Sequence, residues 1–198
     1  MTCARGVDVP ENPGQTVVRS EVLDSGDNGA MERATVLKTP RLEVTTWTWA
    51  DLDDLYQLHS DPPTMRYIRN GVPESRSECA ALLAKYISEQ VEQGWTKWRV
   101  ANYDGRLIGR AGFGSHRGDR ELSYTIRRDR WGEGLATEVG SALVQWHRTH
   151  TAEALPLWAH VAVANPPSAR VVVKLGFSLL GQEVLIGELC DVFCLRPR

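Results

Sequence analysis

The stretch from Glu121 to Arg148, ELSYTIRRDR-WGEGLA-TEVGSALVQWHR, constrains this chain most, because its hydrophobic period changes across a glycine turn. Over Glu121–Arg128, Leu122, Tyr124 and Ile126 alternate with Ser123, Thr125 and Arg127, the period of two that marks a strand. From about Leu135 to His150, Leu135, Val139, Ala142, Leu143 and Trp146 recur at the spacing of one helical face. Between them stands Trp131-Gly132-Glu133-Gly134-Leu135-Ala136. Two glycines allow a ligand close to the backbone, since no Cβ intervenes. The helix start that follows offers N–H groups and a partial positive charge suited to a phosphate. The stretch lacks the GxxxxGK[ST] of a P-loop and the three glycines of a dinucleotide fingerprint. Taken alone, the two glycines are more simply explained by a tight turn with no ligand.

The second half of the chain adds Asn165-Pro-Pro-Ser168-Ala-Arg170 followed by Val171-Val-Val-Lys174-Leu175-Gly176-Phe177. WGEGLATE followed, after a strand, by NxxSxRxxxKLGF resembles the GNAT superfamily of acyl-CoA N-acyltransferases. The likeness is closest to its RimJ/RimL-type branch, whose opening is similar to Thr39-Pro-Arg-Leu-Glu-Val and Asp51-Leu-Asp-Asp-Leu-Tyr here. It covers about Leu37 to Arg198, and the two motifs in order carry it. The fold implied is α+β: a mostly antiparallel sheet with a central, splayed parallel pair, flanked by helices.

The rest of the composition fits one soluble domain. With 198 residues, 42% hydrophobic and 24% charged, there is chain enough for a proper core. A formal charge of −2 gives no basic field for nucleic acid, and no apolar run approaches the ~20 residues of a membrane span. With no secretory h-region in the first thirty residues, a cytoplasmic protein is expected. Residues 1–36 read as a mobile acidic extension broken by Pro10, Pro13, Gly14 and Gly26, with Met31 as a second candidate start; residues 37–198 form the domain. Cys3, Cys79, Cys190 and Cys194 form no CxxC, so no metal is expected. Cys190 and Cys194 on one strand would lie roughly 13 Å apart, too far for a disulfide.

Taken in order, Arg41–Trp47 reads as the first strand, and Thr48 with Asp51 caps a helix running to about His59. Met65–Ile68 is a short helical turn. Ser75 and Glu78 form a capping box ahead of an amphipathic helix that Gly94 closes. Lys97–Tyr103 and Leu107–Gly114 flank an Asp104-Gly105 hairpin, and Gly112, Gly114 and Gly118 predict a flexible loop. After the central unit come a buried strand (Leu155–Ala164), a short helix from Pro166, and a final strand pair, Phe177–Ile186 and Leu189–Leu195.

The resemblance implies roles residue by residue. Backbone groups of Thr125, Ile126 and Arg127 would pair with pantetheine as an added strand. N–H groups of Gly132, Glu133, Gly134, Leu135 and Ala136 would hold the pyrophosphate, Asn165 would hold pantetheine, and Ser168 would face the sulfur. Arg170 or Lys174 would reach the nucleotide phosphates or stand in solvent. Trp131 replaces the superfamily's usual Arg or Gln, as is common in the RimJ/RimL-type branch, and Arg127, Arg128 and Arg130 would supply the charge. The implied activity is acetyl transfer from acetyl-CoA, as co-substrate, to a primary amine, a protein N-terminus or a small molecule. A catalytically degenerate acyl-CoA- or partner-binding domain is the alternative, a structural dimer module that uses the exposed sheet edges and binds no ligand is a third reading, and a homodimer is open in any of them. Direct attack of an amine on a thioester needs a base, a polarising donor and a proton for the thiolate. Glu121 and His160 are the two candidates for the base, each with a structural alternative: a solvated strand-end charge and a core histidine. The superfamily's tyrosine acid is absent, because that position is Val172; Ser168, then Tyr124, are the fallbacks. The acceptor would meet Trp49, Met65–Arg69 and the final hairpin, where Glu183, Glu188 and Asp191 would attract a cationic amine or serve as ordinary hairpin charges.

Overall fold

The computed structural model describes residues 32–69, 71–151 and 155–197; most of the expected extension, residues 1–31, lies outside the described residues. Local chemistry sets the helix starts. The Thr48 N–H and hydroxyl both donate to the Asp51 carboxylate (2.8 and 3.0 Å), opening a turn that leads into α1 (Leu52–His59). Ser75 and Glu78 exchange their capping bonds at the head of α3 (Arg76–Gln93), which Gly94 closes in the left-handed conformation. Between them, α2 (Pro62–Met65) begins three residues before the expected turn. Two prolines fill positions whose N–H groups need no acceptor, and Asp61 accepts the Thr64 N–H.

Two expectations about the strands are corrected. The run Arg41–Trp47 holds a shorter strand, β2 (Glu43–Thr45), and is not the first: β1 (Thr35–Lys38) precedes it across a turn over Thr39–Leu42, and the two pair antiparallel. β1 straddles the expected boundary at residue 36. The glycine run is not a loop either. β3 (Lys97–Ala101) pairs with β4 (Leu107–His116), which continues through Gly112 and Gly114 to a two-residue turn before β5 (Asp119–Ile126). Arg117 and Gly118, with φ of 53° and 89°, supply the two positive φ values of such a tight hairpin turn. The glycines serve close approach instead. A Cβ at Gly109 would lie 2.0 Å from the Thr125 carbonyl oxygen, and one at Gly112 2.0 Å from that of Thr96.

α4 (Leu135–Thr149), β6 (Leu157–Ala162), α5 (Pro166–Lys174), β7 (Ser178–Leu185) and β8 (Glu188–Leu195) complete the chain. The eight strands form one sheet ordered β1-β2-β3-β4-β5-β6-β8-β7. β5 and β6 are its parallel pair, joined only at Arg120–Leu157 and Glu121–Trp158; beyond those positions they diverge. Strand alternation gives the sheet two unlike faces. Leu122, Ile126, Val100, Phe113, Val161 and Phe193 are buried with Leu135, Val139 and Leu143 of α4 and Val172 of α5. A smaller core of Leu55, Leu58, Leu82, Leu83 and Tyr86 joins α1 and α3 and meets Trp47 and Leu107. Cys79, Cys190 and Cys194 are buried free thiols. Among the described residues, no helix is long and apolar enough to cross a membrane.

Candidate active site

The mouth of the diverging strands is built by the glycine turn. Gly132 and Gly134 have φ of 81° and 79°, and Gly134 is the residue that caps α4. Having no side chain, it leaves the first N–H groups of α4 without a capping bond; the first helical bond runs from the Glu138 N–H to the Gly134 carbonyl. A Cβ at Gly132 would enter open space, and one at Gly134 would meet only an Arg41 nitrogen at 3.9 Å. The turn is braced from outside: Arg41 donates to the Glu133 carbonyl (3.0 Å) and pairs with Glu138 (2.6 Å), and Arg130 holds the Glu133 carboxylate (2.7 Å). The Trp131 indole donates to the Ile126 carbonyl at 2.7 Å, tying the turn to the end of β5. Arg127 pairs with Asp129, and Arg170 and Lys174 stand exposed on α5. Of the expected arginines, Arg127 and Arg130 are held by carboxylates and Arg128 is exposed, so the fixed anion-compatible features of the turn are its backbone dipoles.

Inside the wedge, the Arg127 N–H is donated back to Ile108 of β4. Alternation along β5 then turns the Ile126 N–H the other way, into the gap. Thr125 is buried beside it. Opposite, Asn165 caps α5 by accepting the Ser168 N–H (3.4 Å), and Ser168 Oγ lies 2.8 Å from the Tyr124 hydroxyl. The two candidate proton donors are thus one hydrogen-bonded pair joining β5 to α5. Burial pushes the Tyr124 phenol up to about 12, against the opposing pull of the Ser168 bond, so it remains a neutral donor near pH 7.

At the closed end of the wedge, on the sheet face opposite α4, the two candidate bases meet. Glu121 Oε1 is 3.1 Å from His160 Nδ1, and Glu183 Oε1 of β7 is 3.0 Å from His160 Nε2. The His160 side chain is 4% exposed. Both contacts are at ion-pair distance but neither is aligned as a hydrogen bond, which leaves both buried ring nitrogens without a hydrogen-bond partner. Burial lowers the His160 pKa, but the Glu121 and Glu183 carboxylates outweigh it and raise the ring above its ordinary value. The pair can accept a proton and, being acidic overall, can attract a cation.

Two residues beside this pair escaped the sequence reading. His116, at the end of β4, has its ring 4.3 Å from that of His160. Lys97 lies on β3, where its Nζ crowds the Gly114 Cβ position, and Glu121 acts on its charge. Burial, reinforced by the Arg110 cation, pushes Lys97 down to about 8. The Arg117-Gly118 dipeptide was the available signal: read as a hairpin turn, it would have placed His116 on a strand end beside Asp119. The acceptor side divides. Met65 is buried, whereas Trp49 is exposed, and Arg66, Arg69 and Gly71 line a groove of about 480 Å³ with Ile186–Leu189 of the final hairpin.

The family model for the acetyltransferase (GNAT) domain matches residues 41–178. The chain belongs to the GNAT acetyltransferase family. It is 27% identical over 166 residues to an uncharacterized N-acetyltransferase, p20, of Bacillus licheniformis, covering 79% of this chain and 92% of that one. Its fold is similar to that of spermidine N-acetyltransferase from Vibrio cholerae in complex with CoA and spermine (TM-score 0.66, 20% identity, 79% of this chain and 95% of that one). It is also similar to RimL, the ribosomal L7/L12 alpha-N-protein acetyltransferase, in complex with coenzyme A (TM-score 0.72, 15% identity, 83% and 98%). The α+β architecture with its splayed parallel pair is that of the family.

Proposed function

We propose that the chain transfers the acetyl group of acetyl-CoA to a primary amine, a small molecule or a protein N-terminus, by direct attack with both substrates bound. The observation that carries this reading is the 3.1 Å contact between Glu121 and His160 at the closed end of the wedge, opposite the uncapped glycine turn at its mouth. Open space at Gly132 and Gly134 and the free first turn of α4 suit a pyrophosphate. Asn165 and the Ile126 backbone, the part of the expected Thr125–Arg127 edge that faces the gap, would hold pantetheine along β5; the Arg127 N–H and carbonyl are already engaged by Ile108 and the Arg130 N–H. The bound thioester supplies the acetyl group and a thiolate leaving group. The Ile126 N–H is the nearest candidate to polarise its carbonyl. The Glu121–His160 pair takes the proton from the attacking amine, directly or through water, and the Ser168–Tyr124 pair returns one to the sulfur. Glu121 and Glu183 favour a cationic amine on the acceptor side. Trp131, tied here to the Ile126 carbonyl, supports the RimJ/RimL-type branch, in which tryptophan commonly stands in place of the superfamily's Arg or Gln.

Calorimetric titration with acetyl-CoA tests the donor site. Wild type should bind at micromolar Kd, and Gly134→Asp, which puts a carboxylate in the cradle, should weaken binding at least about tenfold. A thiol-release assay against pooled amines and N-terminal peptides then reads turnover. No binding by wild type would reduce the glycine turn to a turn. Binding without turnover on any amine would leave an acyl-CoA-binding domain.

A further inference from the structure

The closed end of the wedge holds more buried polar atoms than acetyl transfer uses. His116 Nε2, both ring nitrogens of His160 and Glu183 Oε1 are each buried without an aligned hydrogen bond, although His160 meets Glu121 and Glu183 at ion-pair distance (3.1 and 3.0 Å). Such groups ordinarily cost stability unless something satisfies them. They are not scattered: one ligand atom from each of His116, His160 and Glu183 lies within 4.8 Å of the other two. Among the described residues the other close group of metal-binding residue types, His59, Glu74 and Cys79, is different in kind. There the Arg110 Nε–H donates to His59 Nε2 (3.0 Å), and Glu74 takes His59 Nδ1 (2.8 Å) and Arg69, so those atoms are already engaged.

We infer that His116, His160 and Glu183 form a binding site for a first-row divalent transition metal, with zinc the best fit. Two imidazoles and one carboxylate are a set that such ions prefer, whereas calcium and magnesium take oxygen ligands. Donors of a tetrahedral zinc site stand about 3.3 Å apart, given bonds of about 2.0–2.1 Å. His160 Nε2 and Glu183 Oε1 are 3.0 Å apart, close to that edge. The neighbours fit as supports. Glu121 lies against His160 Nδ1, the carboxylate–histidine arrangement that orients a metal-bound imidazole through its other nitrogen. Arg117 holds the second Glu183 oxygen at 3.1 Å, leaving Oε1 toward the site. The ligands come from three strands, β4, β6 and β7, so the sheet fixes their spacing. Three protein ligands leave a coordination position open.

The site has a consequence that rests on the proposed function. A metal on His160 Nε2 removes that ring from proton transfer, so zinc is a reversible inhibitor of acetyl transfer, and the ligand His116, which lies outside the proposed base pair, controls sensitivity to it.

Zinc titration of the full chain without CoA, by calorimetry and by equilibrium dialysis, tests the site itself. One zinc per chain should bind at micromolar Kd or tighter. His116→Gln and Glu183→Gln should each weaken it by about tenfold or more, while Cys190→Ser should not. Cobalt substitution should give the visible bands of a tetrahedral ion in wild type and lose them in His116→Gln. Circular dichroism verifies that each variant is folded, and the glutamines keep the bulk of the replaced side chains. No bound zinc in wild type overturns the inference, as does zinc that survives both ligand substitutions or is lost in Cys190→Ser. Zinc binding with no catalytic activity would reject the transfer reading and leave the metal site standing. With activity present, zinc should suppress thiol release in wild type and not in His116→Gln. Equal suppression of both would overturn the regulatory role.

Discussion

Glu121 and His160 sit on strands joined at only two register positions, and one of these, Glu121–Trp158, brings the carboxylate within 3.1 Å of the ring. The question of which is the base becomes one about a pair. A base must be neutral at the nitrogen, so with a metal chelator present thiol release should fall as pH drops through the raised His160 pKa. Removing the Glu121 charge takes away the largest influence raising that pKa and leaves burial, which lowers it, opposed by Glu183 alone. Glu121→Gln should therefore move the acid limb to lower pH, and His160→Gln should cost about 10²–10⁴ in kcat and abolish the limb. A limb unmoved in both variants would assign the proton to water. On the other side of the wedge, Tyr124→Phe should lower kcat by about tenfold with acetyl-CoA affinity unchanged, because its hydroxyl meets only Ser168. Equal losses in affinity and rate would make Tyr124 a structural strut. Both candidate bases were legible in the sequence, one as a strand-end carboxylate and one as a histidine in an apolar strand. Their contact was not, since single-chain periodicity carries no register between strands 39 residues apart, the His160–Glu121 separation.

Elements were most legible where a side chain enforces the backbone. The Thr48–Asp51 and Ser75–Glu78 boxes, the Gly94 cap and the start of α4 stand where the sequence puts them, while the strand expected over Glu121–Arg128 runs two residues earlier, as Asp119–Ile126. The glycine run was misread because glycine permits two opposite uses: freedom in a loop, or backbone contact within a sheet. At Gly109 and Gly112 contact wins, as a Cβ would sit 2.0 Å from a neighbouring carbonyl oxygen. Gly109→Ala should consequently cost about 3 kcal/mol or more, since a backbone collision cannot be relieved by a rotamer change. Gly181→Ala, at a site with nothing within 4 Å, should stay within about 0.5 kcal/mol of wild type. Urea denaturation of both variants checks this. Equal stabilities would mean that β4 and β5 tolerate separation at the very register that aligns the wedge.

For the whole molecule, acid stability should be governed by a group remote from the wedge. His59 is 1% exposed and held between Arg110, which donates to Nε2, and Glu74, which takes Nδ1–H, with Arg69 and Cys79 also against Glu74. This geometry fixes the neutral tautomer. Burial, with the Arg110 charge next, lowers His59 to about 4, while Glu74 pulls the other way. An unfolded histidine takes its proton near ~6.5, so the unfolded chain binds more protons as pH falls from there toward 4, and the fold loses stability across that window. The loss is on the order of 3 kcal/mol for this one group. His147 and His116, both lowered by burial, act in the same sense. His160, with its raised pKa, acts in the opposite one: it favours the fold below its unfolded pKa and loses that contribution as pH rises. Glu43 and Glu138, both lowered by their partners, add losses only once pH falls through the carboxylate range. Urea unfolding measured from pH 7.5 down to 5 should therefore show stability falling with pH. The slope should be shallower in His59→Gln, even though that variant is less stable at pH 7.5 from its lost hydrogen bonds. The difference in slope isolates His59 from the other histidines. Parallel slopes in the two proteins would mean that His59 exchanges its Arg110 bond for a proton inside the fold, and that the network joining α1, β4 and the segment before α3 opens without unfolding the rest.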